Sequence, residues 1–146
     1  MFRGRFEHGI DNKGRLSVPS KFREILSSNF DERLFITNFD GCLWAYPAAE
    51  WQKVEDKVAA LPQMRDEVKA FQRVFISAAV ECPIDGSGRI LLPTTLREYA
   101  GITKDVVLVG MTNRIEIWSR ERWQQKFDES QKKLEVLGDK LADLGL

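Results

Sequence analysis

Two stretches of this chain carry nearly the same sequence. Residues 11–24 read DNKGRLSVPSKFRE, and residues 85–98 read DGSGRILLPTTLRE. Six of the fourteen positions are identical, and four more are close substitutions. Matches that keep their order and spacing indicate an internal repeat. We therefore divide the chain into two copies, residues 1–74 and residues 75–146.

Each copy predicts a strand, a tight turn, a second short strand and a short helix. Asp-x-x-Gly favours a turn, because Asp bonds backbone groups ahead of it and Gly tolerates a positive φ. The apolar and alternating residues that follow the turn are typical of a short strand. A proline then suits the first turn of a helix. The predicted elements are strands at 2–10, 15–18, 76–84 and 89–92, helix starts at Pro19 and Pro93, and a helix C-cap at Gly101.

Further strands and longer amphipathic helices follow in each copy. Residues 34–37 and 106–109 are β-branched, aromatic or aliphatic runs that predict strands. Apolar residues at helical spacing predict helices that bury one face, with Ser119 as the N-cap of the last one. Packing on the chain's own core is the expected role of these stripes, and a neighbouring subunit is the alternative for the C-terminal helix. The stripes are Trp51, Val54, Val58 and Leu61; Met64, Val68, Phe71 and Phe75; and Trp123, Phe127, Leu134, Leu137, Leu141 and Leu144.

Composition indicates a folded globular protein with no cofactor, and the predicted strands and helices make its fold class α+β. A chain of 146 residues with 43% hydrophobic side chains suffices for one domain or two small modules. No apolar run is long enough to cross a membrane. The basic N-terminus is not followed by an apolar stretch or a cleavage site, so no signal peptide is predicted. Cys42 and Cys82 are isolated in sequence, so they predict neither a disulfide framework nor a zinc site. We expect a cytoplasmic protein without a metal.

The charges are balanced in number but uneven along the chain. Lys and Arg total 22, as do Asp and Glu, so the net charge is zero. Residues 1–23 hold six basic and two acidic side chains, whereas residues 31–60 hold three basic and six acidic ones. A neutral protein with this asymmetry can still present a basic face to nucleic acid, although scattered solvated charge explains the same counts.

The first repeated turn has the chemistry of a DNA contact. Lys13 supplies a point charge, and Arg15 supplies a planar fork that matches guanine O6 and N7 or two phosphate oxygens. Arg3 and Arg5 add positive charge to the same predicted strand pair. The competing interpretation is structural, because Asp11 and Arg15 could simply bridge the turn and hold a hairpin shut.

No pattern in the sequence predicts an enzyme. His8 is the only histidine, and no nucleophile can be assigned to it. Residues 85–89 contain one Gly-x-Gly, but neither a third glycine nor a Gly-Lys-Ser/Thr follows, so neither nucleotide-binding loop is predicted.

The two motifs, together with the opening Met1-Phe2-Arg3-Gly4, resemble the MraZ family, relatives of the SpoVT-AbrB DNA-binding domain. The resemblance covers essentially the whole chain. It implies two tandem β-α modules that pair within one chain as an intrachain pseudo-dimeric β-barrel, followed by the longer helices. The residues that it places in the DNA-binding turns are Asp11, Lys13, Gly14 and Arg15 in the first copy, and Asp85, Gly88 and Arg89 in the second.

The resemblance also implies a function and partners. Members of the family form ring-shaped homo-oligomers, so an octamer or a ring of similar size is expected. They bind double-stranded DNA at short G-rich direct repeats upstream of the division and cell-wall gene cluster, which includes their own gene, and usually repress it. A nucleoid-associated repressor is therefore the leading hypothesis. A protein-interaction module of the AbrB fold, without specific DNA binding, is the alternative.

Overall fold

The computed structural model describes all residues 1–146, which form a mixed α+β fold as predicted. The elements in chain order are β1 (Arg5–Gly9), β2 (Arg15–Ser17), α1 (Ser20–Asn29), β3 (Arg33–Phe39), β4 (Cys42–Pro47), α2 (Ala48–Ala59), α3 (Asp66–Phe71), β5 (Val80–Pro83), β6 (Arg89–Leu91), α4 (Thr94–Ala100), β7 (Asp105–Gly110), β8 (Ile115–Ser119) and α5 (Arg120–Ala142). A π-helical turn over Gln72–Ile76 continues α3.

Six of the strands form one antiparallel sheet in the order β1-β7-β8-β4-β3-β5. Strands β2 and β6 form a separate antiparallel pair, which we call the ribbon. The large sheet ends at β1 on one side and β5 on the other, so hydrogen bonding does not close it. The predicted β-barrel is therefore not closed. The ribbon lacks the ladder bonds that would join it to both free edges, although one bridge links Ile10 to Leu16.

The sheet has an apolar face on each side because its central strands are buried on both. The main core lies between one face of the sheet, the inner side of the ribbon and helices α1 and α4. In the ribbon, Leu16 and Ile90 point inward and are 0% and 1% exposed. The alternation of side chains along a strand then turns their neighbours outward. The opposite face of the sheet is covered by α2, the π-helical turn and the start of α5 through Trp51, Phe75 and Trp123.

Local signals placed most element ends correctly. Ser119 is the N-cap of α5, and its side chain accepts a hydrogen bond from the N–H of Arg122 at 3.2 Å. Gly101 ends α4 with a φ of 65°, which is the left-handed conformation that glycine adopts at low cost. Pro19 and Pro93 lie one residue before their helices as N-caps, not within the first turn.

Two predicted boundaries are wrong. Residues 76–79 belong to the end of the π-helical turn and the link after it, so β5 begins only at Val80. Met64 lies before α3 and is 82% exposed, because the chain turns at Pro62 and carries this side chain off the apolar stripe.

The C-terminal helix packs on the protein only near its start. Trp123 lies 6.0 Å from Trp118 between ring centroids, and Phe127 packs next to Trp123. Beyond them, Leu134 is 58% exposed and Leu137 is 43% exposed. The expectation that the whole stripe packs on the chain's own core is therefore wrong for the second half of α5. No helix is both long enough and apolar enough to cross a membrane.

Candidate nucleic-acid interface

The first turn is organised around the carboxylate of Asp11. Its Oδ1 accepts hydrogen bonds from the backbone N–H groups of Lys13 and Arg15, both at 2.9 Å. Its Oδ2 accepts a third bond from Nε of Arg15 at 2.6 Å. The N–H of Gly14 closes the turn by donating to the Asp11 carbonyl at 3.0 Å. These bonds, led by the one from the Arg15 backbone, lower the pKa of Asp11 to about 2.

The second turn repeats this arrangement with a looser ion pair. Oδ1 of Asp85 accepts bonds from the N–H groups of Ser87 at 2.8 Å and Arg89 at 3.0 Å. Its Oδ2 lies 3.6 Å from Nε of Arg89. The Arg89 backbone bond is the largest cause of the lowered pKa of Asp85, and the charges of Arg89 and Arg15 also contribute. An arginine of the first turn thus helps to keep the carboxylate of the second turn ionised.

Asp11 bonds its arginine through Nε alone, whereas Asp85 forms only the longer ion pair with Nε of Arg89. The terminal nitrogens of Arg15 and Arg89 donate no hydrogen bond within the protein, and the two side chains are 37% and 33% exposed. The Nε bond orients the guanidinium of Arg15, and in both side chains the outer N–H groups stay available to a ligand. Each arginine can therefore form the ion pair across its turn and still present its terminal N–H groups to a ligand.

The ribbon brings the two arginines to one surface. Strands β2 and β6 pair Arg15 with Leu91, Leu16 with Ile90, and Ser17 with Arg89. Because Leu16 and Ile90 face the core, the other four side chains share the outward face. Ladder-like bonds extend the ribbon at both ends, from the N–H of Leu92 to Gly14 O and from that of Val18 to Gly88 O, each at 2.9 Å.

The turn glycines are packed against an arginine of the other copy. A Cβ on Gly14 would lie 2.8 Å from Leu92 O and 2.9 Å from Nε of Arg97. A Cβ on Gly88 would lie 2.7 Å from Nη1 of Arg23. The Nε atoms of Arg23 and Arg97 donate to Val18 O and Leu92 O, both at 3.0 Å. Arg23 and Arg97 were not among the predicted site residues, although their matching positions in the repeat were a usable signal.

The structure separates the predicted basic residues into two groups. Lys13 is exposed beside the first turn. Arg5 instead lies at the far end of β1, with its guanidinium carbon 4.7 Å from the ring centroid of Phe127, and Arg3 precedes it. A strand rises about 3.3 Å per residue, so β1 alone extends over about 13 Å between Arg5 and Gly9 and carries Arg5 away from the turn. Arg3 and Arg5 therefore do not join Lys13 and Arg15 in one cluster.

Other reactive side chains form no second site. Cys42 and Cys82 are buried and unpaired, and burial is the main cause of their raised thiol pKa, which reaches about 11 for Cys82. No three His, Cys, Asp or Glu side chains come together as ligands for a metal ion. The candidate site is thus the ribbon with its two turns.

The chain is similar to proteins of one family along its whole length. A family model described as "MraZ protein, putative antitoxin-like" matches residues 1–74 and again residues 75–139. The chain is 46% identical to the "Transcriptional regulator MraZ" of Heliobacterium modesticaldum and 44% identical to that of Pediococcus pentosaceus, with 100% of each chain covered. The corresponding protein of Desulforamulus reducens is 46% identical over 99% of each chain. These findings confirm the resemblance, and the chain belongs to the MraZ family, which is a family of transcriptional regulators and not of enzymes.

Proposed function

We propose that this chain is a sequence-specific DNA-binding transcription regulator whose ribbon enters the major groove. The observation that carries the proposal is the display of Arg15 and Arg89 on one outward face, each held by an aspartate. The major groove accepts a two-stranded β-ribbon, and arginine bonds guanine O6 and N7 in a bidentate manner. The names of the relatives support a role in transcription.

Each turn residue has a separate part in this proposal. Arg15 and Arg89 read guanine edges, and Lys13 contacts a phosphate as a point charge. Gly14 and Gly88 let the backbone pass close to the neighbouring arginine of the other copy.

The carboxylates of Asp11 and Asp85 hold the turns in shape and are not DNA contacts themselves. Arg3 and Arg5 would contact the DNA backbone only beyond the ribbon, because β1 carries them away from the turn.

The two copies, residues 1–74 and 75–146, act in this proposal as the halves of a pseudo-dimer. The two copies exchange equivalent pairings, since β1 of the first bonds to β7 of the second and β5 of the second bonds to β3 of the first. A ring-shaped homo-oligomer, an octamer or similar, would present several ribbons to one duplex. Multivalency then raises avidity when operator spacing matches subunit spacing, which offsets the zero net charge of a single chain.

The proposed targets follow from membership of the family. The chain would repress genes through repeated G-rich sites upstream of the division and cell-wall cluster, including its own gene. It would act in the cytoplasm, at the nucleoid. A pair of arginines on one ribbon supports a preference for guanine-rich sites.

A gel-shift or anisotropy titration tests the proposal. The duplexes are DNA from upstream of the chain's own gene and a scrambled duplex of equal length, each across a salt series. We expect R15A and R89A to weaken binding to the upstream duplex by roughly ten- to a hundredfold, and K13A to reduce the salt slope by about 1 on both duplexes. The control R65A removes the same charge from the link before α3. Equal losses for R15A and R65A would refute the proposal.

A protein-interaction module is the second candidate, and the exposed second half of α5 favours it. The matched family model also describes its members as antitoxin-like. If the chain shows no sequence-selective, salt-sensitive binding to the upstream duplex, that result would support this candidate over the first.

A further inference from the structure

The outward face of the ribbon carries one apolar side chain among polar ones. Leu91 is 60% exposed, directly opposite Arg15 in the ladder. The other three positions of this face hold Arg15, Ser17 and Arg89. A leucine exposed on a face that presents two arginines gains nothing from solvent, and it packs on none of the three apolar clusters of the fold.

The two copies differ at this position. Ser17 occupies in the first copy the place that Leu91 occupies in the second, and each faces the arginine of the opposite strand. One end of the ribbon therefore combines a guanidinium with methyl groups, and the other combines a guanidinium with a hydroxyl. A serine hydroxyl pairs with donors and acceptors alike, whereas an apolar side chain in the major groove meets one apolar group, the C5 methyl of thymine.

We infer that Leu91 is a specificity-determining residue that contacts the C5 methyl group of a thymine next to the guanine read by Arg15. The inference rests on the proposed function. Opposite side chains of an antiparallel pair lie about 4.5–5.5 Å apart at Cβ, and successive bases of one strand rise about 3.4 Å. The thymine thus lies within one or two base pairs of the guanine.

The test uses the upstream duplex and a copy in which deoxyuridine replaces every thymidine, which removes only the methyl groups. Wild type should bind the thymidine duplex about fourfold more tightly, the effect of burying one methyl group. L91S should bind both duplexes equally. The L91S variant carries the serine that the first copy has at the equivalent position, Ser17, so the ribbon is expected to tolerate this substitution. S17A should keep the wild-type ratio. Single replacements of thymidine then locate the base.

Each outcome separates the inference from the proposed function. An unchanged ratio in L91S, or equal binding of both duplexes by wild type while R15A still weakens binding, overturns the role of Leu91 alone. A change in subunit number of L91S, measured by light scattering, would assign Leu91 to a contact between copies and also overturn it. Absence of any selective binding by wild type refutes the proposed function, and the inference with it.

Discussion

The substitution Gly14→Ala tests whether the first turn depends on a backbone conformation and a close contact that only glycine allows. Gly14 has a φ of 87°, in the left-handed region. A Cβ there would lie 2.8 Å from the backbone oxygen of Leu92 and 2.9 Å from Nε of Arg97. The arginine could move aside, but the carbonyl belongs to the ribbon, which would have to shift.

The expected cost has two parts. A non-glycine residue in the left-handed region costs about 1–2 kcal/mol. Moving the ribbon away weakens the hydrogen bond from the N–H of Leu92 to Gly14 O, and such a bond contributes about 0.5–1.5 kcal/mol. G14A should therefore lower the free energy of unfolding by about 2–3 kcal/mol. For a chain of this size that corresponds to a fall of roughly 5–10 °C in Tm.

Thermal unfolding followed by circular dichroism measures the effect, and the second turn provides matched controls. Gly88 has a φ of 75° but meets only the side chain of Arg23, so G88A should cost about 1–2 kcal/mol. Gly86 has no positive φ and open space around it, so G86A should stabilise by about 0.4–1 kcal/mol through the unfolded chain. Equal Tm values for G14A and G86A would refute the reasoning.

Three further predictions concern the acidity of the turn, the C-terminal helix and the thiols. The pKa of Asp11 lies below its ordinary value, so the ionised carboxylate stabilises the turn above pH 3.8, and this stabilisation is lost as pH falls to about 2. An NMR titration of the turn residues measures this loss, and D11N should remove the transition. L137S should change stability by less than about 0.5 kcal/mol in urea unfolding, whereas L43A, at a fully buried position, should cost about 2–5 kcal/mol. Cys42 and Cys82 should resist a thiol reagent in the native protein and react in denaturant; rapid native labelling would contradict their burial.

Much of the candidate site could be predicted from the sequence because its interactions are local. Asp11 and Arg15 are four residues apart, and the bonds that shape the turn join atoms within that span. The same spacing recurs at Asp85 and Arg89. Helix caps such as Ser119 are local for the same reason. By contrast, the sequence did not predict that the barrel stays open, since closure depends on whether distant edge strands meet.

The sequence by itself determined that the chain is a repeat of two turn-bearing modules. Matching residues at matching spacing identify the repeat, and the chemistry of each turn acts between near neighbours. Only the tertiary structure decided what those modules share. It joined β2 to β6, so that Arg15 and Arg89 face one side, and it packed Arg97 of one copy against Gly14 of the other. It also placed the guanidinium of Arg5, at the far end of β1, against the ring of Phe127 in α5. These outcomes depend on pairing between residues far apart in the chain, which no local pattern encodes.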